Sequence, residues 1–379
     1  MTKRAEKFRV VHIASGDLWA GAEVQLYTLC TALKKIADAA VYAILLNEGE
    51  LAKRLREAGV TVTVLPESQL SFFQLLFLTR KELNNIKPHA IHTHRQKENI
   101  LGALANKMST NCPCIRTVHG AQEHRFSIKK PQRLIQHWID YACGNFLQDK
   151  IIAVSQALSR ELQKSFSPKR VVYIPNGINP EQCILQSETT PPLLDTSPGQ
   201  CNIGLVGRLT QVKRPDIFIE TAKLILEQHP QANIKFHVIG SGPLEEISQQ
   251  QAKQVIPDGK IKFYGHLEAA TKAISELDIL VLCSDHEGLP MTLLEACCVE
   301  TCVVAHAVGG IAELIQNRIN GLLVTQHNPQ GYSDAVGELI SDANLRSDLA
   351  LQAKSDVIQN YSANKNAQSI LELYQTGRQ

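Results

Sequence analysis

Short apolar runs rich in β-branched residues alternate with longer amphipathic runs along almost the whole chain. The short runs include Phe8–Ala14, Ala40–Leu46, Val60–Leu65, Ile91–Thr93, Ile115–Val118 and Ile151–Val154. The longer ones include Glu23–Lys35, Leu51–Ala58 and Glu98–Met108. No other feature limits the fold as strongly. Strands joined through helices form βαβ units, and these build a parallel sheet covered on both faces. The rhythm breaks at Gln186–Gln200, rich in Ser, Thr and Pro and without periodicity, which reads as an interdomain linker. It restarts at Cys201–Val206 and continues through Ile234–Ile239, Ile261–Tyr264, Ile279–Cys283 and Val303–His306, then turns helical after Gly331. The expectation is α/β, with two doubly wound domains facing across a cleft and ligands at the C-terminal ends of the strands. The boundaries expected are residues 1–185, a linker over 186–200, residues 201–360 and a helical last segment, 361–379.

The 379 residues are 44% hydrophobic and 20% charged, enough apolar material for two cores. No apolar run approaches the roughly 20 residues that span a bilayer. The basic start, Met1–Phe8, runs into the first strand without an apolar signal region, so no signal peptide is expected. The ten cysteines form no Cys-x-x-Cys pair and sit mostly in apolar segments, as in a reducing cytoplasm. Residues 1–185 hold 25 Lys+Arg against 15 Asp+Glu, while the remainder holds 14 against 22. A basic first half is suited to an anionic partner such as a phosphorylated acceptor, an anionic membrane or nucleic acid. For nucleic acid it lacks aromatic platforms and any recognisable module.

Four loops carry the candidate chemistry. After the first strand comes Ser15–Glu23, in which Gly21 and Ala22 open a helix whose free N–H groups suit an anion. It is not a dinucleotide fingerprint, because Gly-x-Gly-x-x-Gly is absent; a phosphate loop of the Gly-x4-Gly-Lys-Ser/Thr type is absent too. The second loop, Gly204–Pro215, places Arg208 and Lys213 just beyond Gly207, a pair of cations able to clamp a diphosphate. The third, Asp285–Ala296, puts Glu287 in a loop and Glu295 eight positions on, inside a helix opened by Pro290. The amides of Gly288, Leu289, Pro290 (which lacks an N–H), Met291 and Thr292 lie at or before that helix N-terminus, an anion site flanked by two carboxylates able to accept sugar hydroxyls. Last come His92 and His94 at a strand end and His119 in Thr117–Gly120. Their spacing raises a metal site, but no carboxylate or thiolate is placed beside them, and His119 reads better as a hydrogen-bonding group. Gly240 and Gly242, in a strand-to-helix turn, and Gly309-Gly310 are further markers.

In order, Gly21-Ala22-Glu23, Val154-Ser155, Pro175-Asn176-Gly177, Gly207-Arg208-Leu209 with Lys213, Gly240-Ser241-Gly242-Pro243, Glu287-x7-Glu295 and Gly309-Gly310 resemble the retaining glycosyltransferases of family 4, of GT-B fold with two Rossmann-like domains. The likeness spans nearly the whole chain and is most specific in the second half. One departure is Ala20 before Gly21, where the family often has paired glycines. The resemblance implies that Arg208 and Lys213 neutralise the diphosphate of a nucleotide sugar, that Glu287 binds hydroxyls of the transferred sugar, and that Glu295 binds the ribose. It implies that backbone at Gly207, Gly240 and Gly288–Thr292 approaches sugar and phosphate, and that Gly265 and His266 border the base. Gly21 and Ala22 would close over the phosphates, His119 would touch the sugar, and the last segment, 361–379, would cross back to the first domain. No metal and no cofactor are implied, since cations and a helix N-terminus take the metal's place.

The resemblance also implies UDP-sugars as donors, with GDP-mannose next, and a saccharide or lipid-linked saccharide as acceptor in surface polysaccharide, lipopolysaccharide or glycolipid assembly. A same-fold epimerase or phosphorylase, or a non-catalytic sugar-nucleotide-binding subunit, remains as an alternative. The apolar stretch Leu70–Leu78 with basic Arg80 and Lys81, and the basic Lys129–Arg133, raise peripheral contact with an anionic membrane at its cytoplasmic face. A buried helix beside a solvated loop is the competing reading of the same residues.

Overall fold

The structure, a computed structural model, describes residues 7–36, 39–120 and 131–376. Lys129 and Lys130 of the basic segment, and Met1–Glu6, lie outside them. The chain divides into two compact units, residues 1–177 with 363–379, and residues 178–362.

In the first unit strands and helices alternate as β1 (Arg9–Ala14), α1 (Gly21–Ile36), β2 (Ala40–Leu45), α2 (Glu50–Glu57), β3 (Thr61–Val64), α3 (Phe72–Ile86), β4 (Ala90–Thr93), α4 (Gln96–Lys107), β5 (Cys114–Val118), α5 (Pro131–Phe146), β6 (Lys150–Ala153), α6 (Gln156–Leu162) and β7 (Val171–Tyr173). All seven strands pair in parallel in the order β3-β2-β1-β4-β5-β6-β7. The strands are apolar on both sides because both faces are covered. Val10 and Ala14 of β1 pack with Leu26, Leu29 and Leu33 of α1 on one face. Val11 and Ile13 pack with Leu75 and Leu83 of α3 and Leu101 of α4 on the other.

The second unit runs α7 (Pro180–Thr189), β8 (Cys201–Val206), α8 (Pro215–Gln228), β9 (Ile234–Ile239), α9 (Glu245–Val255), β10 (Ile261–Phe263), α10 (Ala270–Ser275), β11 (Ile279–Leu282), α11 (Met291–Cys298), β12 (Cys302–His306), α12 (Ile311–Leu314), β13 (Leu322–Val324), α13 (Pro329–Ser341) and α14 (Ala343–Asn360). Its sheet is parallel in the order β10-β9-β8-β11-β12-β13, with Phe218, Phe236, Ile279 and Tyr332 in the core. α/β architecture with two doubly wound sheets is therefore present. Among the described residues no helix is long and apolar enough to cross a membrane, and all ten cysteines are free.

The expected linker differs from what the chain does. Residues 180–189 form α7, started by Pro180 at its first turn and by Asn179, whose side chain accepts from the Gln182 amide. The helix packs on α10 and α11. The segment that follows is tied down: the amides of Leu193 and Leu194 donate to Glu276, and the amide of Asp195 donates to the Tyr264 hydroxyl. The boundary thus falls at Gly177/Ile178, and residues 178–200 belong to the second unit. Serine and threonine near a helix end signalled a linker, but here Ser187 Oγ donates back to the Ile184 carbonyl within the helix.

The last helix, α15 (Ala363–Thr376), belongs to the first unit. It packs along α1 and buries Ala367, Ile370, Leu371 and Tyr374. Gln25 Nε2 donates to Asn366 Oδ1 at 3.2 Å, and Asn366 Nδ2 donates to the Pro175 carbonyl at 2.6 Å. The Tyr374 hydroxyl meets His92 Nδ1 at 2.7 Å in the interior. Tyr374→Phe would leave that buried nitrogen without its partner, at about 1–3 kcal/mol. Both tryptophans, Trp19 and Trp138, are in the first unit, so tryptophan fluorescence in urea should report a lower midpoint with little change of slope.

Candidate active site

The second sheet changes winding direction at β8, whose neighbours are β9 and β11. Ligands of doubly wound sheets bind at such a point, beyond the C-terminal ends of the strands. Two of the four sequence-expected loops, Gly204–Pro215 and Asp285–Ala296, end up here, joined by the turns at Gly240, Gly265 and Gly309-Gly310.

Beyond β8 the chain passes through Gly207, at φ 147°, then Arg208, Leu209 and a 3-10 turn over Gln211–Lys213. The Gly207 amide donates to the Ile239 carbonyl at 2.9 Å, and the Leu209 amide to the Ser241 carbonyl at 3.0 Å, so the loops after β8 and β9 lie backbone to backbone. That approach needs Gly240: at φ 128°, a Cβ would stand 2.0 Å from the Gly207 carbonyl oxygen. The Gly240 amide in turn donates to the Gly265 carbonyl at 2.7 Å, bringing in the loop after β10 with exposed His266. Arg208 is exposed and makes no hydrogen bond or ion pair with any described residue.

The loop after β11 is fixed from two sides. The Asp285 amide donates to the Val212 carbonyl at 2.8 Å, and Lys213 Nζ pairs with Glu287 Oε1 at 2.5 Å. These partners are 74 positions apart. On the other side, the Gly310 amide donates to the Gly288 carbonyl at 2.6 Å. Gly309, at φ 51°, comes so close that a Cβ there would lie 1.9 Å from the Glu287 carbonyl oxygen. Helix α11 then starts at Met291 with Pro290 before it and no side chain capping it. Its first-turn amides are therefore donors without side-chain acceptors. Beside them Thr292 Oγ1 is buried and has no hydrogen-bond partner.

One turn further, Glu295 is buried within α11, and burial raises its pKa to about 7, against a hydrogen bond from Thr271 that lowers it. Gly207, Lys213, Gly240, Gly265, Glu287 and the Gly288–Thr292 segment are thus joined by one network of hydrogen bonds at adjoining strand ends. A second network lies beneath it and left no mark in the motifs. Arg214, in the left-handed region at φ 51°, binds Asp216 and Asp285; both carboxylates keep its pKa high. Asp285 also accepts from His327 Nε2 at 3.0 Å, and His327 stacks on His306 with centroids 3.8 Å apart. These residues brace the Asp285–Glu287 turn.

Gly21, Ala22 and His119 belong to the first unit. Gly21 and Ala22 begin α1. In the next residue, buried Glu23, burial raises the carboxyl pKa against the pull of Arg95, which bonds it at 2.5 Å. His12 and His92 are register partners across β1 and β4. His94 follows on the same face, with His12 Nδ1 and His94 Nε2 3.1 Å apart, and His119 stacks on His94. Burial drives all four imidazoles to their neutral form, with His12 and His119 at about 3. His12, His92 and His94 hold nitrogens within 4.8 Å of one another, the one such group among the described residues. Tyr374 and Thr117 already occupy both nitrogens of His92, whereas His12 Nε2 and His94 Nδ1 are buried without a hydrogen-bond partner. The Nε2 of His119 has no partner. Sequence spacing pointed to His92, His94 and His119 but not to His12, which lies 82 positions from its partner His94.

Gly309→Ala should push the Glu287 carbonyl aside and lower stability by about 1–3 kcal/mol in urea unfolding followed by circular dichroism. Glu295 has a folded pKa of about 7 against 4.5 ordinarily, so the folded chain holds its proton more tightly. The stabilisation is complete below about pH 4.5 and is lost as pH rises through 7. Between pH 5 and 8, Glu295→Gln should therefore gain stability relative to wild type by about 3 kcal/mol in paired unfolding curves.

The model of glycosyl transferases group 1 matches residues 196–356, and that of Glycosyltransferase Family 4 matches residues 19–182. Over 93% of the chain and 96% of the relative, the sequence is 23% identical to the UDP-Gal:alpha-D-GlcNAc-diphosphoundecaprenol alpha-1,3-galactosyltransferase of Escherichia coli. It is 28% identical, over 88% of the chain and 89% of the relative, to the GalNAc-alpha-(1->4)-GalNAc-alpha-(1->3)-diNAcBac-PP-undecaprenol alpha-1,4-N-acetyl-D-galactosaminyltransferase of Campylobacter jejuni. Anabaena HepE in complex with UDP-glucose superposes with a TM-score of 0.79 at 20% identity, over 97% of this chain and 99% of that one. Matched by these two models over most of its length and sharing this fold, the chain belongs to the family 4 (group 1) glycosyltransferases of GT-B fold.

Proposed function

We propose that the protein transfers a glycosyl group from a UDP-sugar to a saccharide or lipid-linked saccharide, with retention of configuration and without a metal ion. The observation that carries this is the set of unengaged donors at the β8–β11 switch point: exposed, unpaired Arg208, the uncapped start of α11 and the partnerless Thr292 hydroxyl. Unengaged donors around one point suit an anion with several oxygens, and a nucleoside diphosphate is such an anion.

In this reading Arg208 and Lys213 neutralise the diphosphate as it departs. Amides at Gly288, Leu289, Met291 and Thr292, together with the close backbones at Gly207 and Gly240, hold its oxygens and the sugar. Glu287, already oriented by Lys213, accepts from hydroxyls of the transferred sugar. Glu295 accepts from the ribose, and Gly265 and His266 border the base. The acceptor oxygen attacks the anomeric carbon on the side from which the diphosphate leaves. The carbon–oxygen bond to phosphate breaks, the new glycosidic bond forms, and the acceptor's proton passes to the departing phosphate oxygen. Fixed positive charge and positioning supply most of the rate. The acceptors named for the Escherichia coli and Campylobacter jejuni relatives are undecaprenyl-diphosphate saccharides. They favour work at the cytoplasmic face of a membrane, in surface polysaccharide, lipopolysaccharide or glycolipid assembly.

A thermal-shift panel of UDP, GDP and ADP with EDTA present tests the donor. UDP at 100 times its Kd should stabilise wild type by about 2.7 kcal/mol. Arg208→Ala should weaken UDP about ten- to a hundredfold, the worth of a charged hydrogen bond. A shift that requires added magnesium, or a larger response to GDP, would overturn the metal-free UDP reading.

A further inference from the structure

Helices α3, α4 and α5 form one layer on the Val11–Ile13 face of the first sheet. Leu75, Leu83, Leu101 and Cys143 point inward to the shared core. The outward side of this layer is unusual. Along α5, Ile135, Trp138, Ile139 and Phe146 are 61%, 58%, 41% and 77% exposed. They recur at helical spacing, so they form one stripe. The same helix buries its carboxylate: Asp140 is 1% exposed and is held by Arg116 at 2.8 Å. In α5, then, the polar group faces the core and the apolar stripe faces out. On α3, Phe73 and Phe77 are 79% and 62% exposed, and exposed Lys81 continues the same line.

Charge on the layer is one-sided. The only carboxylates of the three helices are Glu82, Glu98 and Asp140, and none is exposed. Lys81 and Lys107 are exposed. Lys107, Arg170 and the half-buried Asp149 line a shallow recess with Phe146 at the end of α5. Exposed aromatic and branched side chains edged by cations, without exposed acid, match the boundary of an anionic bilayer. There apolar side chains reach the acyl region and ammonium groups meet headgroup phosphates.

We infer that the outward face of α3 and α5 docks the protein on an anionic lipid bilayer. This deepens the proposed function and rests on it only for the benefit of docking: a lipid-linked acceptor would be met at the surface where it resides.

The test is cosedimentation of the full chain with vesicles of phosphatidylcholine containing 30% phosphatidylglycerol, set against phosphatidylcholine alone. Neither donor nor acceptor is needed. Wild type should pellet with the anionic vesicles at low salt and be released by 0.5 M NaCl. Ile135→Ser with Trp138→Ser should weaken binding at least tenfold, while the shift induced by UDP stays as in wild type and shows the fold intact. Lys81→Glu with Lys107→Glu should abolish the preference for anionic lipid. Wild type that stays in the supernatant, or that binds neutral vesicles equally, overturns the inference. So does a dimer seen by light scattering that Trp138→Ser dissolves, because the stripe would then belong to a second copy of the chain. Vesicle binding by a protein that glycosylates only soluble saccharides supports the docking face and removes the lipid-linked acceptor.

Discussion

Contact of backbone on backbone at the strand ends of the second unit is the constraint on which the site depends. The Glu287–Gly288 peptide lies on Gly309–Gly310, and the Gly207 carbonyl lies against Gly240, at separations that exclude any Cβ. Side chains alone could not hold a loop so closely, because each brings rotamer freedom that must be frozen. Here the positions of Lys213, Glu287 and the start of α11 follow from main-chain hydrogen bonds, and the carboxylates and cations inherit that rigidity. The Arg214–Asp285–His327 network then stiffens the same turn from below.

The first unit solves a different problem. Its strand ends carry four histidines, two buried glutamates and Arg95 rather than an open set of donors. Buried imidazoles are tolerable when neutral and hydrogen-bonded. The structure meets both conditions for His92 by enlisting Thr117 from β5 and Tyr374 from α15. Helix α15 is therefore part of the polar interior at these strand ends as well as of the apolar core.

Much of this was legible in sequence. The β-branched runs name most strands to within a residue or two, since strands covered on both faces have no polar alternation to confuse the pattern. The glycines at 240, 309 and 310 were readable because only glycine fits such contacts, and Gly207 because its φ of 147° favours glycine. What escaped has physical causes. Helix α7 hides in a Ser/Thr/Pro-rich stretch whose caps and helix-end hydroxyls look like linker composition. The stripe of α5 was missed because apolar periodicity normally marks the buried face, and here it marks the exposed one. His12 and the Asp285–His327 pair depend on contacts between residues far apart in sequence, for which local spacing carries no signal.

The return of α15 to the first unit has a consequence for synthesis on the ribosome. Residues 178–362 are contiguous and can complete their core as soon as they emerge. The unit that is made first cannot: its sheet waits, one flank uncovered, for Ala367, Ile370, Leu371 and Tyr374, which leave the exit tunnel only after the whole of the second unit. The order of emergence and the order of completion are thus reversed. An interrupted chain would present a finished second unit beside an unfinished first one, with apolar surface open to proteases and chaperones. Helix α15 thereby ties the completion of the first unit to the synthesis of the second.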